Sequence, residues 1–522
     1  MQAIQACETR GANFARVFRY QYVISPRPIE APGMRAHGFA GLHVHTGASL
    51  RTARLRDVHG KVFGLLLGIA VGPDGLVTQN QHIDSIDLTR SDAFTAIENL
   101  LTHFAGRFTL IAAQGRDRRV YGDAVGMNGI VYNPTLQRVA ASVPLCIDDA
   151  VQDHPDYNHH LCETEGGKYT FFDTRDRRVR RMNPSCYLDL ANFAETRFWP
   201  PSNGLGPLPS SLTDTYDEII SIASHSTQTL LQSFPCVLPL TGGRDSRLIA
   251  AFAGNDMHRA VQIYTHVTNY SSRQDAAIAA LVAQTLGGRL CVHDRRITHV
   301  PQVRRDRMRD EFQLALGYDA APPSELRTGV VTHLPFDALV LRGHQTDILR
   351  AVFSDFRGPT GRAALRWQVK RLMPVPYARF TNAEEQRFTH RYAAWRDALP
   401  YALRDHSTDL MFTELYYPSS VGATFPALNR NFYISPFNSR RLISLAMSID
   451  EQYRHESLAV DDLVYRMNPA LHNVPIDYET GASLDDLNDP HYCAAAVQAR
   501  ASRTEARAGG LAQVTAANPW PA

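Results

Sequence analysis

The chain has 522 residues, of which 44% are hydrophobic and 20% charged, and its formal charge is only +2. That length exceeds one ordinary core and that composition excludes disorder, so a globular protein of two domains is expected. So small a charge gives no bulk electrostatic case for a nucleic-acid or anionic-membrane partner, and no uninterrupted apolar run reaches the roughly 18 residues a membrane helix needs.

The first stretch, MQAIQACETRGANFARVF, has no basic segment followed by an apolar one, so a cytoplasmic location is expected. The seven cysteines are scattered and nowhere spaced as CxxC, which argues against a disulfide framework or zinc knuckle and for small buried apolar side chains. Glycine-bounded apolar runs at Val62–Val71 and Arg107–Ala113 read as buried strands, with a helix of 3.6-residue spacing, Ala93–Phe104, between them. Turn residues in VYGDAVGMNGIVYN, from Val120, precede another strand near Ile130. A sheet packed with helices is expected up to about residue 195, and the Pro/Gly-rich Trp199–Pro209 reads as the linker.

Beyond the linker the pattern alternates between helix and strand, which predicts a parallel sheet covered on both faces. Helices are expected at Thr213–Gln232, Asp245–Ala253 and Gln274–Leu286, with strands at Cys236–Leu240, Val261–His266, Arg289–His293 and Ala338–Leu341. Residues from about 355 to 475 read as mainly helical, and the small, polar residues 506–522 as a disordered tail. Arginine clusters at 116–119, 175–181 and 304–309 are interleaved with aspartate and read as solvated faces.

CVLPLTGGRDSRL, Cys236–Leu248, places a tight turn with two glycines, an acid and a hydroxyl between a strand and a helix. Gly242 and Gly243 lack a Cβ, so their backbone can approach phosphate oxygens, while the helix start offers unpaired N–H groups and a positive dipole end. Asp245 repels phosphate but suits a magnesium ion bridging phosphates, and Ser246 can donate a hydroxyl hydrogen bond. A plain strand-to-helix turn capped by Asp and Ser accounts equally well for the turn taken alone.

The turn resembles the SGGxDS pyrophosphate loop of the N-type ATP pyrophosphatases, with Thr241 in place of the first Ser. With the helix Asp275–Leu286, the strand Arg289–His293 and PFNSRRLISLAMSID (Pro436–Asp450), the chain is similar to asparagine synthetase and β-lactam synthetase. GRFTLIAA from Gly106 and the segment from Val120 are similar to that family's class II glutaminase domain. The resemblance implies α/β and α+β architecture: an Ntn-type αββα sandwich over 1–195, glutaminase-like and inactive, then an α/β PP-loop synthetase domain over 205–505 with a helical C-terminal part. It implies ATP and Mg2+ as cofactors, with Leu240, Thr241, Gly242, Gly243, Asp245, Ser246 and Gly343 on the nucleotide and Asp245 and Asp347 on the metal. Gly343 and Asp347 belong to LRGHQTDI (Leu341–Ile348), in the place of the family's GEGxDE or GYGSDI loop; a surface residue or helix cap is the alternative for Asp347.

His344 stands where β-lactam synthetases have a catalytic Tyr, and Glu414 at a broadly similar place to the Glu that partners it, so these two are the catalytic candidates. Histidine can accept the proton of an attacking amine near neutral pH, and a structural histidine is the alternative. Class II glutaminases need Cys at position 2, and this chain has Gln2. The amine is therefore expected to be ammonia or an amine-bearing substrate. The family's late lysine is also missing, since no lysine follows Lys370; either an arginine such as Arg454 or Arg466 supplies that charge or the synthetase site is weakened. The expected function is an AMP-forming amide ligase acting on small-molecule or peptide carboxylates and amines in specialised-metabolite, antibiotic or modified-peptide biosynthesis, alongside partner proteins of the pathway. A non-catalytic binding partner and a PP-loop tRNA modifier are the competing expectations.

Overall fold

The computed structural model describes residues 1–476 apart from 165, 298, 357 and 374–380. The expected tail, the segment around Asp477–Gly481 and Cys493 lie outside the described residues. The fold is mixed α/β, with strands in three sheets.

The two apolar runs read as buried strands are the centre of an eight-stranded sheet, where Val62–Gly72 pairs antiparallel with Ala105–Gln114. Alternation is absent from these runs because both faces are covered. Leu65, Leu67 and Ile69 face one apolar cluster, while Leu66 and Ala70 face a second, closed by Phe94, Ile97 and Leu101 of the Ala93–Thr102 helix. The first cluster is shared with Tyr22, Val23 and Val44 of a six-stranded antiparallel sheet, and the Thr109 hydroxyl donates across to Tyr22 Oη at 3.0 Å. The Val131–Asn133 strand, expected near Ile130, belongs to this second sheet.

Every named strand of these two sheets lies between Tyr22 and Arg197, and every strand of the third between Cys236 and Ile434. The third sheet follows the Leu212–Ser233 helix, which Ser211 caps by accepting from the Asp214 N–H. Its five strands are parallel, in the order Leu290–Asp294, Gln262–Val267, Cys236–Pro239, Leu339–Leu341, Phe432–Ile434. The Phe432–Ile434 strand falls in a stretch read as helical. Three apolar residues carry no periodicity with which to distinguish strand from helix.

The halves are joined by polar contacts as well as by a continuous apolar cluster. Gly106 N–H donates to the Asn438 carbonyl (3.0 Å), and Asn438 Nδ2 donates to the Gly106 carbonyl (2.6 Å) and to Asp123 (2.9 Å). Arg440 reaches the carbonyls of Gly122 and Pro184. The Pro436–Asp450 segment thus anchors the second half to the first.

Candidate active site

In an open parallel sheet, ligands bind outside the carboxyl ends of the strands where the strand order reverses. Here the chain runs outward from Cys236–Pro239 through Gln262–Val267 to Leu290–Asp294, then returns to the other side at Leu339–Leu341. The reversal therefore falls between the loops that follow Pro239 and Leu341. A cavity of about 220 Å³ opens there, lined by Leu240, Thr241, Asp245, Ser246, Gly343, His344 and Asp347 among others. Two larger hollows, of about 440 and 660 Å³, lie elsewhere; the larger sits at the amino ends of the same strands, against Pro235, Leu339 and Phe432.

The two loops touch. A Cβ on Gly343 would stand 2.8 Å from the Asp245 carbonyl carbon and oxygen, so only glycine permits this approach. The contact gathers a polar cluster around the carboxylates of Asp245 and Asp347. Arg350 Nη2 donates to Asp245 Oδ2 (2.7 Å) and also to Asp347 Oδ1, the Tyr417 hydroxyl donates to Asp347 Oδ2 (2.9 Å), and the Thr346 hydroxyl has one proton for two acceptors, the Gly343 carbonyl (2.5 Å) and Asp245 Oδ1 (2.9 Å). Tyr417 Oη in turn accepts from the Gln345 N–H at 2.8 Å. Burial first, and the Asp347 charge second, push the Asp245 carboxyl up to about 6.

On the other loop, Ser246 Oγ accepts from the Thr241 N–H at 3.0 Å. Gly242 and Gly243 form the turn without lining the cavity: the Gly242 N–H donates to Asp275 Oδ1 (3.2 Å) and the Gly243 N–H to Thr241 Oγ1 (3.3 Å). No side chain caps the start of the Arg244–Ala253 helix. Arg342 lines the opposite wall, held by Glu325 at 3.1 Å, with His266 3.5 Å from the same carboxylate.

His344 packs edge-on against Phe425 (centroids 5.3 Å apart) and Tyr417 (6.4 Å). Burial, reinforced by Arg342, pushes its imidazole down to about 3. It is therefore neutral at physiological pH and a weak acceptor for an ammonium proton. As pH falls below 6.5 the unfolded chain takes up a proton there and the folded chain does not, so this residue withdraws stability as pH drops towards 3. Urea unfolding at pH 7 and pH 5 should show a smaller acid loss for His344→Phe than for wild type; equal losses would contradict this placement.

Glu414 is the second catalytic candidate. It sits on a π-helical segment, Met411–Tyr416, with its side chain 0% exposed and held bidentate by Arg197 at 2.6 and 2.9 Å. Asn183 and Trp395 donate to the same carboxylate, each at 3.1 Å. This is a cross-brace between the halves, away from the cavity wall. The proposed lysine replacements are likewise committed: Arg454 is paired with Asp409 at 2.8 and 2.9 Å, and Arg466 with Asp217 at 3.1 Å. The cation at the carboxylate pair is Arg350, which no motif singled out; its one signal is an arginine three residues beyond Asp347.

In the first half, Gln2 opens the Gln2–Thr9 helix, and the Cys7 thiol is buried and pushed up to about 11, which disfavours its thiolate. Among the described residues no group of three or more His, Cys, Asp or Glu is placed to hold a metal, and no helix is long and apolar enough to cross a membrane. No family model matches the chain, and no curated protein matches it.

Proposed function

We propose that the protein is an ATP-dependent carboxylate–amine ligase of the asparagine-synthetase type. A substrate carboxylate attacks the α-phosphorus of ATP and pyrophosphate leaves; an amine then displaces AMP and forms the amide. The observation that carries this reading is the meeting of Asp245 and Asp347, from two different loops, at the point where the parallel strand order reverses.

The donor set fits the nucleotide. Thr241 and Ser246 bring hydroxyls beside an uncapped helix start, which is a favourable place for phosphate oxygens. Among the described residues a Cβ on Gly243 would meet nothing nearer than Thr241 Oγ1 at 3.5 Å, which leaves the turn open on that side. Asp245 and Asp347 would hold magnesium, an ion suited to one or two carboxylates with phosphate oxygens and water making up the rest. When bound, the metal supplies charge neutralisation on the phosphates. His344, neutral and packed on two aromatic rings, is better suited to shape the cavity than to act as base. The paired sheets with their helices accord with an Ntn-type first half that no longer supplies ammonia.

The test is product-resolved turnover. Purified protein with MgATP, a panel of carboxylates and a panel of amines should yield AMP, pyrophosphate and a new amide by mass spectrometry. ADP and phosphate would point to different chemistry. Tight ATP binding without AMP would favour a non-catalytic nucleotide-binding partner, a reading to which the internally occupied Gly242 N–H lends some support. With glutamine as sole amine donor, no glutamate release above a boiled control is expected.

A further inference from the structure

We propose that Arg350 is a resident counter-ion that stands in the cation position between Asp245 and Asp347, bars free divalent ions from it, and gives way only to a metal delivered on the nucleotide's phosphates. The inference rests on the nucleotide reading above for the identity of the incoming metal; the geometry of Arg350 is independent of it.

One nitrogen, Nη2, bridges the two carboxylates from different loops, the remaining oxygen of Asp347 accepts from the Tyr417 hydroxyl, and that of Asp245 lies 2.9 Å from the Thr346 hydroxyl. The pair is thus bridged without a metal, and a bare magnesium ion would have to break the Arg350 bridge and shed water in exchange for two protein carboxylates. Magnesium dehydrates reluctantly, so the exchange is unfavourable. The balance changes when the metal arrives already bound to phosphate. The phosphates complete its oxygen shell, and the displaced guanidinium gains an anionic partner well matched to its fork of donors. Arg350 is placed for this: it ends the turn Thr346–Arg350 that begins beside Gly343, and its side chain is 22% exposed. Among the described residues Arg350 is the cation that bridges the carboxylate pair, while Arg342 on the cavity wall is held by Glu325 and Arg454 and Arg466 pair with Asp409 and Asp217. Metal and guanidinium therefore exchange places, which makes Arg350 a positioning residue for the polyphosphate.

Manganese titration of the full chain without nucleotide, followed by electron paramagnetic resonance, tests this directly. Wild type should bind the ion weakly. Arg350→Met should bind one ion at least tenfold more tightly, and adding Asp347→Asn to that variant should abolish the gain. An unchanged affinity in Arg350→Met, or a gain that survives Asp347→Asn, would overturn the proposal. Should Arg350→Met fail to fold, as judged by circular dichroism, Arg350→Lys decides: its shorter arm cannot bridge both carboxylates in the same way, so a threefold or larger gain supports the proposal and none overturns it. Because no nucleotide is present, failure of the ligase reading would appear separately, as absence of AMP in the turnover assay.

Discussion

Replacing Asp245 by Asn should lower the rate of adenylation by about two to three orders of magnitude, comparable to the loss of one preorganised electrostatic group. The change keeps the shape of the side chain, but it removes the charge that Arg350 now neutralises and that a metal would meet. Gly343→Ala should do similar damage by another route. Its Cβ would stand 2.8 Å from Asp245 backbone atoms, so the two loops must part and the carboxylates with them. The check is isotope exchange between pyrophosphate and ATP once a carboxylate substrate is in hand. Exchange within a few-fold of wild type in Asp245→Asn would remove that residue from the chemistry.

Glu414→Ala should destabilise the fold by about 3 kcal/mol, the lower part of the range for breaking a buried ion pair, because Arg197 keeps partial access to water. The loss comes from the stranded guanidinium together with the unpaired donors of Asn183 and Trp395. Urea unfolding reads it, and Glu414→Gln, which keeps the shape and some acceptors, should lose less. Unchanged stability with amide formation abolished would instead mark Glu414 as a catalytic residue.

The comparison of Glu414 with Asp347 explains what the sequence could and could not disclose. Strands and helices of the second half were legible because apolar runs punctuated by glycine alternate with helical spacing: the expected helix Thr213–Gln232 is observed as Leu212–Ser233, and the expected strand Val261–His266 as Gln262–Val267. A loop that follows a parallel strand has a fixed place at the sheet's carboxyl edge, so the order of motifs was enough to bring Asp245 and Asp347 to one cavity. Glu414 lay in a helical stretch with no such constraint. Spacing does not tell which way a side chain leaves a π segment, and its partner Arg197 is 217 residues away. Tyr417 and Arg350 escaped for the same reason: each earns its role from a long-range contact, to Asp347 and Asp245 respectively. The basicity of His344 was also illegible, since it is set by burial and by Arg342 rather than by residue type.

The central claim is that the cavity between the two loops binds MgATP through its polyphosphate, and calorimetric titration with ATP tests it most directly. Wild type should bind one ATP, at least tenfold more tightly with magnesium than with a chelator present, and Gly343→Ala should lose that binding while remaining folded. Absence of ATP binding at millimolar concentration, or binding indifferent to both magnesium and Gly343→Ala, would contradict it.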